Sequence, residues 1–405
     1  MVRTGLVGTT LMCLAAAWCV SAPARAEFLS RKQARHCPRG RIACLPSPTM
    51  GTRYLDADDL GKHSYGFTLW ERNGIVYTCR GGHIDVTHLR KVVDWTGYLA
   101  YHIHDMLMKN RMEMSYKMWE PSKHHIRLDY PSGWKYLPST SRDTIAREVA
   151  IDLASYLAYT ASIWHEILTW HGFKGAGIYP EYHSAFSWED NYSNAMGSLI
   201  AVRALRDPDR QFEQAVTWHL GQEIRRLGGQ PRRVARQAGE RVRGLWFEGG
   251  YVVVTMVKRH LDTGLDDGWI TPWVVPGLAE CPDEPPQPCP VPNLKAVEQY
   301  GFRATVEIEP REWEKEQILK KAYPNPQDRR GWIDPTKHLA AIIEAIRAET
   351  IERYGPRADQ YEIPSRLAHA GNSPVGSTPQ PPGDEAHPAS NPGETLDNAE
   401  LTHDR

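Results

Sequence analysis

The chain has 405 residues, a formal net charge of −1 and 24% charged residues, so no excess of positive charge draws it to nucleic acid or to an anionic surface. Trp (14) and Tyr (18) outnumber Phe (7), which suits a core with polar handles or a cleft that grips a flat ligand.

Residues 1–26 read as a secretory signal: Arg3, an apolar run from Gly5 to Val20, then "SAPARA" with Ala24 and Ala26 at the small positions of a cleavage site. The mature protein is therefore expected to begin at Glu27 and to be exported, to the periplasm or beyond. Trp18 precedes Cys19 where a lipid anchor needs a small residue, and no later stretch approaches the roughly 20 apolar residues of a membrane span. Export lets disulfides persist. Cys37 and Cys44 frame "CPRGRIAC" and Cys281 and Cys289 frame "CPDEPPQPC", so both pairs are expected to close local loops and leave Cys79 free.

The N-terminal segment 27–60 is expected to carry the first of these bridges, and 61–363 to form a single, mainly helical globular domain. The segment 364–405 lacks aromatics and is crowded with Pro, Gly, Ser and Asn, the composition of a disordered tail. Within the domain, "YGFTLW" and "GIVYTC" read as short strands joined at "ERN". "RGG" breaks the second, and a helix opens near Asp85 with apolar spacing through Val92, Trp95, Leu99 and Met106. A strand pair is expected between Glu113 and Leu137, and a long helix from "STSRDTIARE" to Trp170 with Gly172 as its stop. "SWED", from Ser187, matches a capping box and opens a helix to about Leu205. Further helical stretches follow near 209–227 and 232–259, although "YVVVTMV" in the second is β-branched. A last helix opens at Asp334 and Pro335 and closes at Gly355 and Pro356. The class is α+β, predominantly α-helical with a few short strands.

The long helix carries the first candidate site. Glu148, Asp152, Ser155, Tyr159, Ser162 and Glu166 fall within about 40° of one line at roughly 100° per residue. A solvated face would mix in Lys or Arg, and this one has none. If buried, the stripe needs a metal ion or a basic residue from another element. "WHEILTWH" is not a zincin motif, because position 169 is Thr and His165 and His171 stand about 120° apart. His165 and Glu166 could still serve as one ligand and one base.

The second candidate is "CRGGHIDVTHLR", which places Cys79, His83, Asp85 and His88 at one strand-to-helix junction. Asp85 and His88 share a helix face, and Cys79 beside His83 or His88 is a rival thiol chemistry. The third is the helix start at Glu189, Asp190, Asn191 and Asn194, where the helix dipole favours acids in any case. "DTGLDDG", Asp262 to Gly268, resembles a calcium loop but has Gly264 at its third position. "RRLGGQPRRVARQAGERVR" carries seven arginines and reads as a solvated face or a surface with local acidic partners.

Four blocks, "YTCRGGHIDVTHLRKVVDWTGYLA", "WHEILTWHGF", "SAFSWEDNYSN" and "RHLDTGLDDGWITPW", resemble in that order the motifs of an exported bacterial family known only as a domain of unknown function. The likeness spans roughly 65–276. The resemblance implies that His88, His165, Glu166 and the Glu189-Asp190 pair are shared with the family. An aromatic often stands there in place of His83 and His171, which speaks against those two as ligands. No activity comes with the resemblance.

The residues lead to an envelope or periplasmic metal-dependent hydrolase. His88, His165 and Asp190 or Glu189 would gather around one divalent ion, zinc favoured, with Glu166 as the base and Asp85, Glu148, Asp152, Tyr159 and Asn194 in support. Two other readings stay open: a non-enzymatic envelope protein binding a glycan or peptide, and a thiol hydrolase using Cys79.

Overall fold

The computed structural model describes residues 28–41, 53–118, 120–175, 179–249, 254–281 and 285–361. The expected leader (1–26), Cys44 and the tail (364–405) lie outside the described residues. Ile75–Thr78 (β1) and Gly82–Asp85 (β2) form an antiparallel hairpin in which Ile75 faces Asp85. Gly82 turns with φ +63°, and a Cβ there would sit 2.1 Å from the Trp273 carbonyl oxygen, so glycine is required. The expected strand at Tyr65–Trp70 does not form. Tyr54 bridges to Ile75 in its place, and Phe67, Leu69 and Trp70 stand exposed in irregular chain.

Asp85 ends the hairpin and caps the next helix, its Oδ1 accepting the Thr87 N–H at 2.6 Å. That helix, α1 (Val86–Met108), leads through β3 (Glu113–Tyr116) and β4 (Lys123–Asp129) to α2 (Ser139–Trp170). The strand Arg303–Glu309 completes a three-stranded antiparallel sheet with β4 in the middle. Then come α3 (Asp190–Arg206), α4 (Phe212–Arg226) and α5 (Arg232–Val242). The helix expected to reach residue 259 stops at Val242, and Phe247–Gly249 pairs with Val254–Met256, as the β-branched run favours. Near the C-terminus stand α6 (Lys295–Glu298), α7 (Lys315–Ala322) and α8 (Pro335–Tyr354), the last capped by Asp334. The expected fold class is the one observed.

α1, α2 and α3 pack against one another and carry the main core, which includes Leu89, Val93 and Ile103 with Leu157, Trp164 and Ile200. A second apolar cluster gathers Tyr77, Trp188, Trp246 and Trp273 around the hairpin. No helix among the described residues is long and apolar enough to cross a membrane.

The cysteines pair differently from the local expectation. Cys79 bonds Cys281, with Cα atoms 5.2 Å apart, while Cys289 is buried and free. Beyond residue 284, the Gln287 N–H donates to the Arg80 carbonyl at 2.8 Å, and Cys289 pairs in a short strand with Ile270. Cys79 is thereby removed as a nucleophile. The proposed partner of Cys37 falls outside the described residues, and Cys37 itself is exposed.

Candidate metal centre

Three elements deliver the polar residues of the α1–α2–α3 junction. The cap that starts α1 leaves Asp85 Oδ2 pointing inward, and His88, one turn on, presents its ring to the same side. The first residue of α3 is Asp190. His88 Nδ1 lies 2.5 Å from Asp190 Oδ1 and 3.4 Å from Asp85 Oδ2. Each of these three atoms is buried without a hydrogen-bond partner, so they converge on a shared point without the alignment of hydrogen bonds. One ligand atom from each lies within 4.8 Å of the others, and the group can hold a metal ion.

Ser193 fastens this arrangement. Its hydroxyl donates to the Glu189 carbonyl at 2.6 Å and accepts the Asp85 N–H at 2.9 Å, tying the start of α1 to the first turn of α3. Burial disfavours the imidazolium of His88, but Asp190 and Asp85 outweigh it and raise the pKa to about 9. Burial likewise opposes ionisation of Asp190, yet His88 holds its pKa below the usual value.

His165 and Glu166 come from the last turns of α2. Glu166 is buried, and its Oε2 accepts the Phe186 N–H at 2.8 Å. Burial, then the charge of Asp190, push its pKa up to about 7. Phe186 sits at φ +54°, a conformation a phenylalanine adopts only when held. The hold comes from the next segment of chain. The His260 N–H donates to the Phe186 carbonyl at 2.9 Å, and the buried Arg259 guanidinium donates to the carbonyls of Tyr182, His183 and Ala185.

His165 does not join the Asp85–His88–Asp190 group. Its Nδ1 donates to Glu120 Oε1 at 2.7 Å. Burial opposes the charge on both partners, but each favours the other's ionised form: Glu120 is held down to about 2 and His165 is raised. Two residues beyond Glu120, the Ser122 N–H and hydroxyl both donate to the buried Glu312 at 2.7 Å and tie down that stretch of chain. His88, Glu120, His165, Glu166, Lys91 and Asn194 line one cavity of about 20 Å³, room for about one water or ion.

The acidic stripe of α2 divides along its length. Glu148 and Asp152 pair with Arg206 of α3, each at 2.8 Å, the basic partner from another element that the composition called for. Ser155 meets Ser198 at 2.6 Å, and the Tyr159 hydroxyl donates to the Thr263 carbonyl at 2.6 Å. Only Glu166 reaches the cavity from among the stripe's acids. Glu148, Asp152 and Tyr159 therefore brace helices and do not support the centre.

The remaining candidates lie elsewhere. His83 is buried between Tyr77 and Trp188, accepts the Trp188 indole N–H at 3.2 Å, and is held near 4 by burial. His171 lines a different pocket with Trp170, Tyr182, Glu349 and Arg353. "DTGLDDG" is no calcium loop in this fold: Asp262 accepts the N–H groups of Gly264 and Thr271, and Asp267 that of Trp269. Three arginines of 225–243 pair with acids, Arg226 with Glu223 and Arg243 with Glu240 nearby in sequence and Arg233 with Glu280 farther along the chain. The start of α3 lies two residues beyond the expected capping box, with Glu189 at the cap position and no side-chain cap bond.

Two residues at the cavity escaped the sequence reading. Lys91 could have been found, since it follows His88 by three on the same helix face. Glu120 could not, because it lies in irregular chain between β3 and β4 with no periodicity to flag it. Residues 40–266 match the family model described as "Protein of unknown function (DUF4056)". No curated protein and no solved structure matches the chain.

Proposed function

Because the chain belongs to the DUF4056 family, whose description names no activity, we propose from the site alone that it is a metal-dependent hydrolase acting on an envelope component. The observation that carries the reading is the convergence of His88 Nδ1, Asp85 Oδ2 and Asp190 Oδ1, buried together and lacking hydrogen-bond partners. Without an ion, His88 and Asp190 offset one another only as a close charged pair and Asp85 Oδ2 has no partner; a divalent cation that displaces the His88 proton would satisfy all three at once. One imidazole and two carboxylates suit zinc or a similar ion. An ion held there would act as a Lewis acid and lower the pKa of water toward neutrality.

Glu166, its Oε2 held by the Phe186 N–H and its pKa close to the working range of a general base, would take the proton from the attacking water. His165, oriented through Nδ1 by Glu120, faces the same cavity and would return a proton to the leaving group as the bond to the carbonyl or equivalent centre breaks. The envelope as the location of the substrate follows from the leader-like N-terminus.

The test is metal analysis of protein purified without chelator. Wild type should carry a stoichiometric divalent ion. His88→Ala and Asp190→Asn should lose it, with affinity down at least about 10-fold, whereas His165→Ala should retain it. Glu166→Gln should keep the ion and abolish turnover of any substrate found. Folded wild-type protein that contains no metal and fails to bind added zinc sinks the proposal.

A further inference from the structure

We propose that Ser115, His125 and Glu309 form a serine hydrolase site for carboxylic esters, separate from the candidate metal centre. The three residues stand on one face of the three-stranded sheet, each on a different strand: Ser115 on β3, His125 on the central β4, and Glu309 on the strand Arg303–Glu309. Ser115 and His125 face each other across the ladder, and Glu309 is the diagonal neighbour of His125, since Glu307 stands directly opposite it. The register thereby joins His125 to a residue 184 positions away in sequence, beyond the reach of any local motif.

The hydrogen bonds run in one direction. His125 Nε2 lies 3.1 Å from Glu309 Oε2, and His125 Nδ1 lies 3.0 Å from the Ser115 hydroxyl. Arg311 donates to both oxygens of Glu309 at 2.8 to 3.0 Å and fixes that carboxylate in place. The hydrogen bond with His125, and Arg311 behind it, outweigh burial and hold the Glu309 carboxyl below its usual pKa, so it is ionised and can only accept. His125 must then present its N–H at Nε2, which leaves Nδ1 of the neutral ring to accept the Ser115 O–H. Nucleophile, base and the carboxylate that orients the base stand in line. That is the connectivity that activates a serine, and roles rather than ring positions define it.

The surroundings admit a substrate. Ser115 is exposed, and the three residues line an open cavity of about 570 Å³, the size of a small-molecule site, which shares no lining residue with the metal-centre cavity. Arg127 lines it too, exposed on the same face of β4 and forming no ion pair among the described residues. It stands two residues from His125, about 7 Å along the strand, so its side chain can reach the oxyanion that forms on the substrate. The wall is otherwise mostly polar, with Glu113, Thr305 and Glu307 beside Trp332, whose indole N–H donates to Glu307 at 3.2 Å. Such a wall suits an ester whose alcohol carries hydroxyl groups, an O-acylated sugar or polyol. In the reaction the Ser115 oxygen bonds to the ester carbonyl carbon as its proton passes to His125 Nδ1; the bond to the alcohol oxygen then breaks, and that oxygen takes the proton. Water repeats the sequence on the acyl-serine, releasing the acid and restoring Ser115.

A fluorophosphonate probe, which phosphonylates an activated serine, tests this on the full chain, with chelator present so that a metal ion plays no part. Mass mapping should find the label on Ser115, and the same protein should hydrolyse p-nitrophenyl acetate. Ser115→Ala should abolish both. His125→Ala should slow labelling at least about 100-fold. Glu309→Gln should slow it at least about 10-fold, with partial rescue in Glu309→Asp, which restores the carboxylate that a merely structural role would not need. None of the three residues is buried, so the variants should fold, and circular dichroism checks that they do. Folded wild type that leaves Ser115 unlabelled, or folded His125→Ala that is labelled there at the wild-type rate, overturns the proposal. Neither result bears on the metal centre, which metal analysis reads separately.

Discussion

At the level of single residues, the pairing of Glu120 with His165 separates two histidines that look alike in the sequence. His88 meets one oxygen of Asp85 and one of Asp190, neither of which has a hydrogen-bond partner, while His165 is committed through Nδ1 to Glu120. The pair also makes a pH prediction whose sign follows from its shifts. The folded pKa of Glu120 is depressed from 4.5 to about 2, so its contribution to stability is complete above about 4.5 and is lost as pH falls toward 2. His165 is shifted up, so its contribution is complete below 6.5 and is lost as pH rises through its higher folded value. Urea unfolding across pH should therefore show a shallower acid limb for Glu120→Gln than for wild type between about 4.5 and 2. Parallel limbs for the two proteins would show that the pair does not titrate with folding.

Among the elements, the approach of α3 to α1 sets the distance between His88 and Asp190. Gly197 makes that approach possible: a Cβ at this position would lie 2.4 Å from the Leu89 carbonyl oxygen, one residue beyond His88. Backbone cannot swing aside as a side chain can, so Gly197→Ala must push the helices apart. A loss of about 1–3 kcal/mol in stability is expected from overpacking, together with weaker metal binding, both measurable on one preparation by denaturation and metal titration. Gly221 in α4 is the control, since a Cβ there meets only the Arg225 side chain at 3.6 Å. Gly221→Ala should be neutral or stabilising by up to about 1 kcal/mol through helix propensity. Equal effects at the two glycines would mean that the α1–α3 contact does not set the site.

For the whole molecule, the Cys79–Cys281 bond joins residues 202 apart in sequence and pins the loop after Leu278 to the β1–β2 hairpin. Constraining so long a loop limits the unfolded chain, and Cys281→Ser is expected to cost about 2–5 kcal/mol. Peptide mapping without reductant should link Cys79 to Cys281, and alkylation of the native protein should spare both. A Cys281–Cys289 peptide would contradict this arrangement. The bond lies beside the second apolar cluster, so its loss should be felt first around Trp246 and Trp273, whose fluorescence offers a local readout.

What the sequence determined by itself was local. Apolar spacing and turn residues set α2 and α8 close to their observed ends, and Asp85 and Asp334 announced their caps because a cap depends only on the next few residues. The cation-free stripe of α2 was also legible, along with its need for partners, since a helix face follows from a fixed angular step. Which partners it met was decided only in three dimensions. Arg206 took Glu148 and Asp152, Phe186 took Glu166, and Glu120 drew His165 away from the ligand group it was expected to join. The cysteines followed the same rule: short spacing favoured local loops, but the path of the chain past Arg80 and into the strand at Cys289 put Cys281 beside Cys79. Periodicity fixes how a residue faces within its own element, and the packing of α1, α2 and α3 fixes what it faces.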